Sequence, residues 1–514
     1  MHKITSQLSQ PLYSVASTRQ LEQQMAATLP PHTLMQRAGL AVARLALAIA
    51  PNARLTWIAC GPGNNGGDGF EAALQLHQRG KKVIVTWTGA DQLPPDAQAS
   101  RQRALAAGVA LHDNAPTDFD LSIDALLGIG AALDPARAHG ALMTHWLTLM
   151  HASAAPRLAV DVPSELNAES GIASTINAIE SIAGSAHTTA QKANFTLSLL
   201  TLKPGLFTAQ GRDSAGEVWL DTLGVDAQGN PVCAPPCAWL LGLDRSNPAA
   251  KIRAAHASHK GSFGDVAVIG GQSSSQSATR MTGAALLAAR AALHAGAGRV
   301  FVALLGGDGP QVDLQQPELM FRTPDALDFD HQVVVCGCGG GEAVKTVMAQ
   351  VLTEAKRAVL DADALNAIAT DTALQTLLQA RHERGFTTVL TPHPLEAARL
   401  AGSTTQAIQA DRRGSAEQLA ERFQCVVVLK GSGSVIAAPN QVSMINASGN
   451  ALLATAGTGD VLAGMTGASL ARGLDGFEAA CSAVFAHGHK ADSWALNRPG
   501  EVLTASALAA WQVR

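Results

Sequence analysis

Short apolar runs alternate with stretches of helical spacing along most of the chain. The first half contains "LTWIAC", "LSIDALLGIG" and "RLAVDV", and the second half contains "DVAVIGG", "VVVCGC", "RAVLDAD", "TTVLTP" and "VVVLKG". Each run leads into a loop of glycine, proline or polar residues. Runs that are apolar throughout indicate strands buried on both faces, as in parallel sheets. The pattern therefore predicts an α/β protein.

A segment rich in glycine and proline, residues 226–240, separates the two series of strands. A chain of 514 residues is long enough for two or three domains. We predict one α/β domain over residues 10–225, a linker over 226–240 and a second α/β domain over 241–514. Ligands of open α/β sheets bind beyond the carboxyl ends of the strands. The polar loops therefore predict one active cleft in each domain.

The composition argues against several classes of partner. A net charge of −4 supplies no basic field, so we expect no nucleic-acid partner. The most apolar early stretch, residues 40–47, contains Arg44 and is too short to span a bilayer. We therefore expect no membrane partner and a cytoplasmic location. Seven cysteines, an odd number, do not form a disulfide framework, and we expect buried or linker thiols in "CAPPC" (233–237) and "CGC" (336–338).

The glycine loop "GPGNNGGDGF", residues 61–70, lies between a predicted strand and a predicted helix. Its spacing, Gly61-x-Gly63-x-x-Gly66, is typical of loops that hold a dinucleotide pyrophosphate, but the spacing alone is a weak signal. Asp68 would repel a pyrophosphate seated on this loop. The loop is therefore not the fingerprint of an ordinary nicotinamide-dependent dehydrogenase.

The predicted strand ends of the first domain collect amide, carboxylate and hydroxyl oxygens. Such oxygens suit a hard cation and the hydroxyls of a sugar. The alternative is that each residue is only a helix cap or a turn residue, for which these types are favoured. Six such residues at neighbouring strand ends favour a ligand site. They are Asn64, Asn65, Asp68, Asp124, Asp161 and Ser164.

The stretch "NALLATAGTGDVLAGM", residues 450–465, carries the strongest motif of the second domain. Gly457, Thr458 and Gly459 lead into an apolar helix with Asp460 in its first turn. Free amides at a helix start bind anions, and a carboxylate beside them can take a proton from a hydroxyl during phosphoryl transfer. The motif therefore predicts kinase-like chemistry. An aspartate that only caps the helix would not explain the two glycines.

Two further loops of the second domain offer ligand groups. Lys430 and the amides of residues 431–434 follow a predicted strand in "VVVLKGSGS" and suit a nucleotide phosphate, although a surface lysine beside a turn is the alternative. His393 stands between two prolines in "TPHPLE", where its imidazole can reach a ligand. A lone histidine is more often structural, so the strand-end position supports this prediction.

The first half resembles the NAD(P)H-hydrate epimerase domain, a Rossmann-like fold, through "GPGNNGGDGF", "DALLGIG", "AVDVPSELNAESG", "TRQLEQQMA" and "LMQRAGLAVA". The resemblance implies that Asp161 contacts substrate and transfers a proton, and that K⁺ is held by Asn65, Asp124 and Ser164. Glu165 stands where the family has glycine, so the backbone freedom that glycine provides is lost beside Ser164. The implied substrate contacts are Asn64, Asn65, Gly66, Gly67, Asp68, Gly128, Ile129, Gly130, Ala131, Ala132, Leu133, Asp134 and Asp161.

The second half resembles the NAD(P)H-hydrate dehydratases, which have a ribokinase-like fold, through "HKGSFGDVAVIGG", "LDADALN", "LTPHPLEAARL", "LKGSGS" and "GTGDVLAGM". The family's Gly-Pro-Gly-Leu-Gly is here residues 337–341, with Cys338 in place of proline. The resemblance implies hydrate contacts at Ala285, Gly339, His393 and Asp460, the last as catalytic base. It implies that Lys430, Gly431, Ser432, Gly433, Ser434 and Gly459 bind ADP, which is used with Mg²⁺.

Together the resemblances imply a repair enzyme for hydrated nicotinamide cofactors. Its small-molecule substrates would be NADHX, NADPHX and ADP: one cleft epimerises the hydrate, and the other dehydrates the S epimer with release of AMP and phosphate. They also imply a homo-oligomer, with a tetramer as the candidate. The alternative is a ribokinase-like small-molecule kinase with a non-catalytic N-terminal binding module.

Overall fold

The computed structural model describes residues 1–89, 92–130, 132–173, 194–225, 235–246, 255–273, 280–307 and 311–513. Ala131, Cys233 and the expected linker residues 226–234 lie outside these ranges. The chain divides into two compact units, Met1–Ile4 with Pro11–Ala238 and Thr5–Gln10 with Trp239–Arg514. The end of the expected linker is not a loop, because Ala238–Leu241 form a strand.

The first unit is an α/β unit. Its helices are α1 (Val15–Thr28), α2 (Thr33–Ile49), α3 (Asn64–His77), α4 (Pro95–Ala106), α5 (Gly140–Ala152) and α6 (Gly211–Ala215). Its sheet strands are β1 (His2–Lys3), β3 (Thr56–Cys60), β4 (Val83–Trp87), β5 (Ala110–His112), β6 (Leu121–Ala125), β7 (Arg157–Val160), β8 (Asn194–Leu199) and β9 (Glu217–Asp221).

The described strands of this unit are ordered β1-β9-β8-β7-β6-β3-β4-β5. All neighbours are parallel except β1 and β9. Strands β3, β6 and β7 are fully buried, as their apolar runs predict. Because these three strands are neighbours with the same direction, the loops after residues 60, 125 and 160 meet at one edge of the sheet.

Helix α2 covers this sheet together with α3. Its buried positions Met35, Ala38, Val42 and Leu45 recur at helical spacing and form one apolar face. Ala38, Val42 and Leu45 belong to the main hydrophobic core of the unit, which also contains residues of β3, β4, β6 and β7. The core therefore holds the strand ends, and the loops that follow them, in fixed positions.

The second unit is also an α/β unit. Its strands are β10 (Ala238–Leu241), β11 (Asp265–Gly270), β12 (Arg299–Leu304), β13 (Met320–Phe321), β14 (Val333–Cys336), β15 (Arg357–Leu360), β16 (Thr387–Leu390), β17 (Val426–Leu429), β18 (Val435–Ala437) and β19 (Met444–Asn446). Its helices are α7 (Leu243–Ser246), α8 (Thr282–His294), α9 (Lys345–Glu354), α10 (Asp363–Thr370), α11 (Thr372–Glu383), α12 (Pro394–Ala401), α13 (Thr405–Ala410), α14 (Arg412–Phe423), α15 (Thr458–Ala471), α16 (Gly476–Asn497) and α17 (Ala505–Ala510).

The described strands of this sheet are ordered β13-β12-β11-β14-β15-β16-β17-β18-β19-β10. Strand β2 (Gln10–Leu12) spans the boundary between the two units along the chain. Strands β13 to β17 are parallel in this order, and β18 is antiparallel to both of its neighbours. Helix α15 packs closely on α8, since a Cβ on Gly464 would lie 2.0 Å from the carbonyl oxygen of Ala288. A glycine is required at this crossing.

The predicted fold class is confirmed: both units are α/β with mainly parallel sheets. Within the described ranges, every helix is too short or too polar to cross a bilayer. Of the described members of the two cysteine pairs, Cys336 and Cys338 are buried and Cys237 is half-buried.

Candidate active sites

The glycines of the first loop permit close backbone approach. A Cβ on Gly61 would lie 1.8 Å from the carbonyl oxygen of Leu126, and one on Gly66 would lie 2.1 Å from the carbonyl oxygen of Gly61. A Cβ on Gly67 would meet the Met35 side chain of α2 at 2.6 Å. These glycines bring the start of α3 against the neighbouring loop and helix. The polar residues between these glycines therefore face away from the neighbouring loop and helix.

A cavity of about 460 Å³ lies at these strand ends. Of the predicted substrate contacts, Asn64, Asn65, Asp68, Gly128, Ile129, Gly130 and Asp161 line it. Gly66 and Gly67 are buried in helix packing instead, and Ala132, Leu133 and Asp134 do not line the cavity. Ala131 lies outside the described residues. The structure therefore brings the beginning of each predicted loop to the cavity.

Asp124 and Ser164, two of the predicted K⁺ ligands, are in direct contact. The Ser164 hydroxyl donates to the Asp124 carboxylate at 2.5 Å, and the Ser164 amide donates at 3.0 Å. Burial, reinforced by Glu165, raises the pKa of Asp124. Asn65 lies beside Gly128, and its Nδ2 is buried without a hydrogen-bond partner among the described residues. Asp124 and Ser164 do not line the cavity, whereas Asn65 does.

Asp161 is held by a lysine that the sequence analysis missed. Its carboxylate accepts hydrogen bonds from Lys203 Nζ and from the amide of Leu199, the latter at 3.0 Å. Lys203 is fully buried and also donates to the carbonyl oxygen of Leu199 at 2.8 Å. Lys203 precedes Pro-Gly after the apolar run "FTLSLL", which is the same strand-end signal used elsewhere. Asp161 is therefore one half of a buried ion pair.

Glu165, which replaces the family's glycine, fits without a left-handed backbone. It is absent from the described non-glycine residues of positive φ, among which Asp161 has φ 68°. Its carboxylate is buried and accepts hydrogen bonds from both Arg157 Nη atoms at 3.0 Å. Burial opposes ionisation of Glu165, but Arg157 and His151 outweigh it and lower its pKa. Because Glu165 is the residue after Ser164, the Arg157–Glu165 pair adjoins the predicted K⁺ site.

The second site surrounds Asp460 at the start of α15. One ligand atom each from Cys338, Asp361 and Asp460 lies within 4.8 Å of the others. Burial and the Asp361 carboxylate raise the pKa of Asp460 to about 7, while a hydrogen bond from Cys338 and the charge of Lys430 lower it. Asp460 therefore exchanges its proton near neutral pH.

Lys430 and Asp361 link this carboxylate to the neighbouring strand ends. Lys430 Nζ lies 2.7 Å from Asp361 Oδ1 and 3.8 Å from Glu396 Oε2. Burial lowers the pKa of Lys430, but the two carboxylates outweigh it and raise the pKa overall. Thr391 also donates to Asp361 at 2.7 Å. Asp361 lies in "LDADALN" but is not among the predicted site residues.

His393 begins α12 as its N-cap. Its Nδ1 accepts hydrogen bonds from the amides of Leu395 and Glu396 at 3.1 and 3.3 Å, which places the ring proton on Nε2. Nε2 lies 3.2 Å from Glu396 Oε1. Burial and Lys430 lower the pKa of His393, and burial raises the pKa of Glu396 to about 7. His393 is therefore a neutral hydrogen-bond donor at this site.

The remaining predicted contacts surround this centre. A Cβ on Gly459 would lie 3.4 Å from Lys430 Nζ, and one on Gly339 would lie 2.6 Å from the carbonyl oxygen of Met281 before α8. Ala285 of α8 is fully buried. In the loop after Lys430, Gly431, Ser432 and Ser434 reach the surface and Gly433 is buried; the Ser434 hydroxyl donates to the Gly431 carbonyl at 3.1 Å.

The matches to known proteins separate the chain into the same two halves as the structure does. A family model described as NAD(P)H-hydrate dehydratase matches residues 266–512, and one described as YjeF-related protein N-terminus matches residues 31–205. The chain is 36% identical over 481 residues to the bifunctional NAD(P)H-hydrate repair enzyme Nnr of Escherichia coli (strain K12), covering 90% of this chain and 85% of that protein. It is 34% identical over 494 residues to the enzyme of that name from Coxiella burnetii, covering 94% of each chain.

Other similar proteins match the second half. The ADP-dependent (S)-NAD(P)H-hydrate dehydratase of Neisseria meningitidis serogroup B is 44% identical over 242 residues, which cover 46% of this chain and 78% of that protein. A crystal structure of the ADP/ATP-dependent NAD(P)H-hydrate dehydratase of Bacillus subtilis is 31% identical, covers 50% of this chain and 90% of that chain, and has a TM-score of 0.43.

The α/β fold together with these relatives defines an enzyme of nicotinamide-nucleotide repair, with one candidate site in each unit. Similarity to bifunctional relatives over nine-tenths of the chain identifies the family. The chain belongs to the bifunctional NAD(P)H-hydrate repair enzymes. The resemblance drawn from the motifs is thereby confirmed.

Proposed function

We propose that the first cavity interconverts the R and S epimers of NADHX and NADPHX, and that the second site dehydrates the S epimer with ADP. The observation that carries the second assignment is the Asp460 carboxylate in the first turn of α15, a helix start with no side-chain cap among the described residues, where its oxygen lies within 4.8 Å of a ligand atom of Asp361. The carboxylate takes the proton of the ring hydroxyl while the hydroxyl is phosphorylated. Transfer of the terminal phosphoryl group of ADP leaves AMP. Elimination of phosphate, with loss of a proton from the adjacent ring carbon, then restores the C=C bond of the reduced cofactor.

The surrounding residues orient this step. Lys430 neutralises Asp361 and brings a positive charge beside Gly459, where the helix start offers its amides to a phosphoryl group. His393 Nε2–H lies beside Glu396 Oε1, and we expect this pair to contact the hydrate. Mg²⁺ is usually held by one or two carboxylates together with substrate phosphates, and the carboxylate of Asp361 fits this demand, which leaves Asp460 free to act as the base. Mg²⁺ would neutralise phosphate charge there.

K⁺ fits the oxygen donors beneath the first cavity. The Asp124 carboxylate and the Ser164 hydroxyl supply buried oxygens in direct contact, and the Asn65 side chain brings its Oδ1 beside Gly128. Asn65, Asp124 and Ser164 would hold the ion, whose charge would stabilise the ionised carboxylate and fix the start of α3. We expect epimerisation to require K⁺.

Mixed epimers of hydrated NADH test both assignments in the full-length enzyme. With ADP and Mg²⁺, absorbance of the reduced cofactor should return in a fast phase for the S epimer and a slower phase set by epimerisation. Exchanging K⁺ for Na⁺ should slow only the second phase. A stable phosphorylated hydrate, with no free phosphate, would indicate a small-molecule kinase instead. Parallel reactions with ATP determine the phosphoryl donor.

The cytoplasmic location and the homo-oligomeric state stay predictions. Size-exclusion chromatography with light scattering would measure the latter directly, and a tetramer is expected.

A further inference from the structure

Four carboxylates line the first cavity, and they differ in what they contact. They are Glu22, Asp68, Asp96 and Asp161. Asp161 is paired with Lys203, and the carboxylate of Asp96 lies 2.6 Å from His32 Nδ1. Glu22 and Asp68 are half-buried and have neither a hydrogen bond nor an ion pair with any described residue. Two of the four acids are therefore available to a ligand.

Helices α1 and α3 direct these two side chains into the cavity. Thr18, Glu22 and Ala26 recur every four residues on one face of α1, and all three line the cavity. On α3, Asn64 and Asp68 are likewise four residues apart, while Gly67 and Gly69 pack against protein. The two carboxylates thus enter the same space from different helices.

From this placement we propose that Glu22 and Asp68 are the catalytic acid and base pair of the first cavity. The proposal rests on the proposed epimerase function and names the groups that carry it out. Asp161, which the sequence analysis expected to transfer a proton, serves as a fixed anion balanced by Lys203.

The electrostatics of the cavity separate the roles of the two carboxylates. Asp68 faces Glu22, Asp161, Asp96, Glu71 and the Cys60 thiol, and burial followed by these carboxylates raises its pKa well above the usual range. Glu22 faces Asp161, Asp96, Lys203 and Arg19; burial and the carboxylates raise its pKa, and the two cations oppose them. The two cations beside Glu22 favour its ionised form, whereas the charges that face Asp68 all favour its protonated form. Pairs separated in this way are typical of acid and base assignments.

The chemistry of the hydrate requires such a pair. Water adds to an enamine at the carbon bound to nitrogen, so the ring hydroxyl of the hydrate lies on that carbon. The Asp68 carboxylic acid gives its proton to this hydroxyl, the C–O bond breaks with loss of water, and the nitrogen lone pair forms an iminium C=N bond. Water attacks the other face, and the Glu22 carboxylate takes a proton from it. Solvent then returns a proton from Glu22 to Asp68.

Two-phase kinetics with mixed epimers, ADP and K⁺ test the pair in the full-length enzyme. Glu22→Gln and Asp68→Asn keep the side-chain shape, and each should slow the second phase by about 100-fold or more, after the spontaneous rate is subtracted. The fast dehydration phase belongs to the other unit and should not change. Asp113→Asn, at an exposed position outside the cavity, is the matched control and should behave as the parent.

Two readouts separate catalysis from a structural role. Glu22→Asp should regain part of the second-phase kcat that Glu22→Gln loses. Because burial raises the pKa of Asp68, its ionisation destabilises the fold, and Asp68→Asn should melt at or above the parental temperature at alkaline pH. Parental second-phase rates in both amide variants would overturn the pair, as would a rise in KM with kcat unchanged. If the rate of the second phase in the unmodified enzyme equals the rate of spontaneous epimerisation, the enzyme is not an epimerase, and the proposed function fails instead of the acid–base pair.

Discussion

The carboxylate of Glu165 and the guanidinium of Arg157 form a buried ion pair with an N–O distance of 3.0 Å, and both side chains are almost completely excluded from solvent. Arg157 begins β7, and Glu165 follows Ser164, whose hydroxyl contacts Asp124. Arg157 also donates to the carbonyl oxygen of Ser214 at 3.1 Å. The residue that departs from the family pattern is therefore integrated into the fold behind the predicted cation site.

Glu165→Gly, which restores the family residue, should destabilise the first unit by about 3–5 kcal/mol because it leaves the Arg157 charge buried and unpaired. Thermal unfolding followed by circular dichroism would measure the loss. The double variant Glu165→Leu with Arg157→Leu should recover most of it, since apolar residues can replace a buried pair. Equal losses in the single and double variants would contradict the ion-pair explanation.

The ion pair between Arg157 and Glu165 also predicts that the first unit becomes less stable in acid. The folded-state pKa of Glu165 is lowered from its ordinary 4.5, so its stabilisation is complete above that value and is lost as the pH falls below it. The melting temperature of the first unit should therefore fall more steeply below pH 4.5 in the parent than in the double leucine variant. Parallel pH dependences would show that Glu165 does not carry the effect.

Asp161→Ala should abolish epimerisation while dehydration of the accepted epimer persists, so that the other epimer accumulates. The variant loses a cavity carboxylate and leaves Lys203 buried without its anion. Chiral chromatography of the unreacted hydrate, with the spontaneous rate subtracted, would measure the accumulated epimer. Consumption of both epimers at the parental rate would falsify the assignment of the first cavity.

Asp460→Asn should have the converse effect, with dehydration lost and epimerisation intact. In the parent, kcat for dehydration should rise as the pH passes through about 7, because the base must be ionised. Glu396 has a similar pKa, so Glu396→Gln is the control that separates the two titrations. Substantial dehydration by Asp460→Asn would remove Asp460 from the role of base.

Cys338→Ala should shift the acidic limb of the pH profile of dehydration kcat to higher pH. The thiol contacts both carboxylates: it donates to Asp361 Oδ2 at 4.0 Å, and its interaction with Asp460 lowers the pKa of Asp460. Alanine has no donor. Cys338→Ser keeps a donor and should shift the limb less. Stopped-flow measurement of dehydration across the pH range would compare the three enzymes. An unchanged profile in Cys338→Ala would mean that the thiol does not influence the base.

The sequence by itself determined the two α/β domains and the strand ends at which the sites form. Buried parallel strands must be apolar throughout, so their runs are visible without a structure, and the motifs at their ends specify the family. Asn65, Asp68, Asp161, Lys430 and Asp460 could be placed at sites for this reason.

Only the tertiary structure decided which charges meet. Lys203 is 42 residues from Asp161, and Lys430 is 69 residues from Asp361. Glu22 lies on a helix whose spacing does not distinguish a cavity wall from a solvent face. Chain folding sets these juxtapositions, and ionisation depends on burial and on the nearest opposite charge. The sequence therefore supplied the strand-end groups, whereas the three-dimensional packing determined which carboxylates are paired and which are available to the substrate.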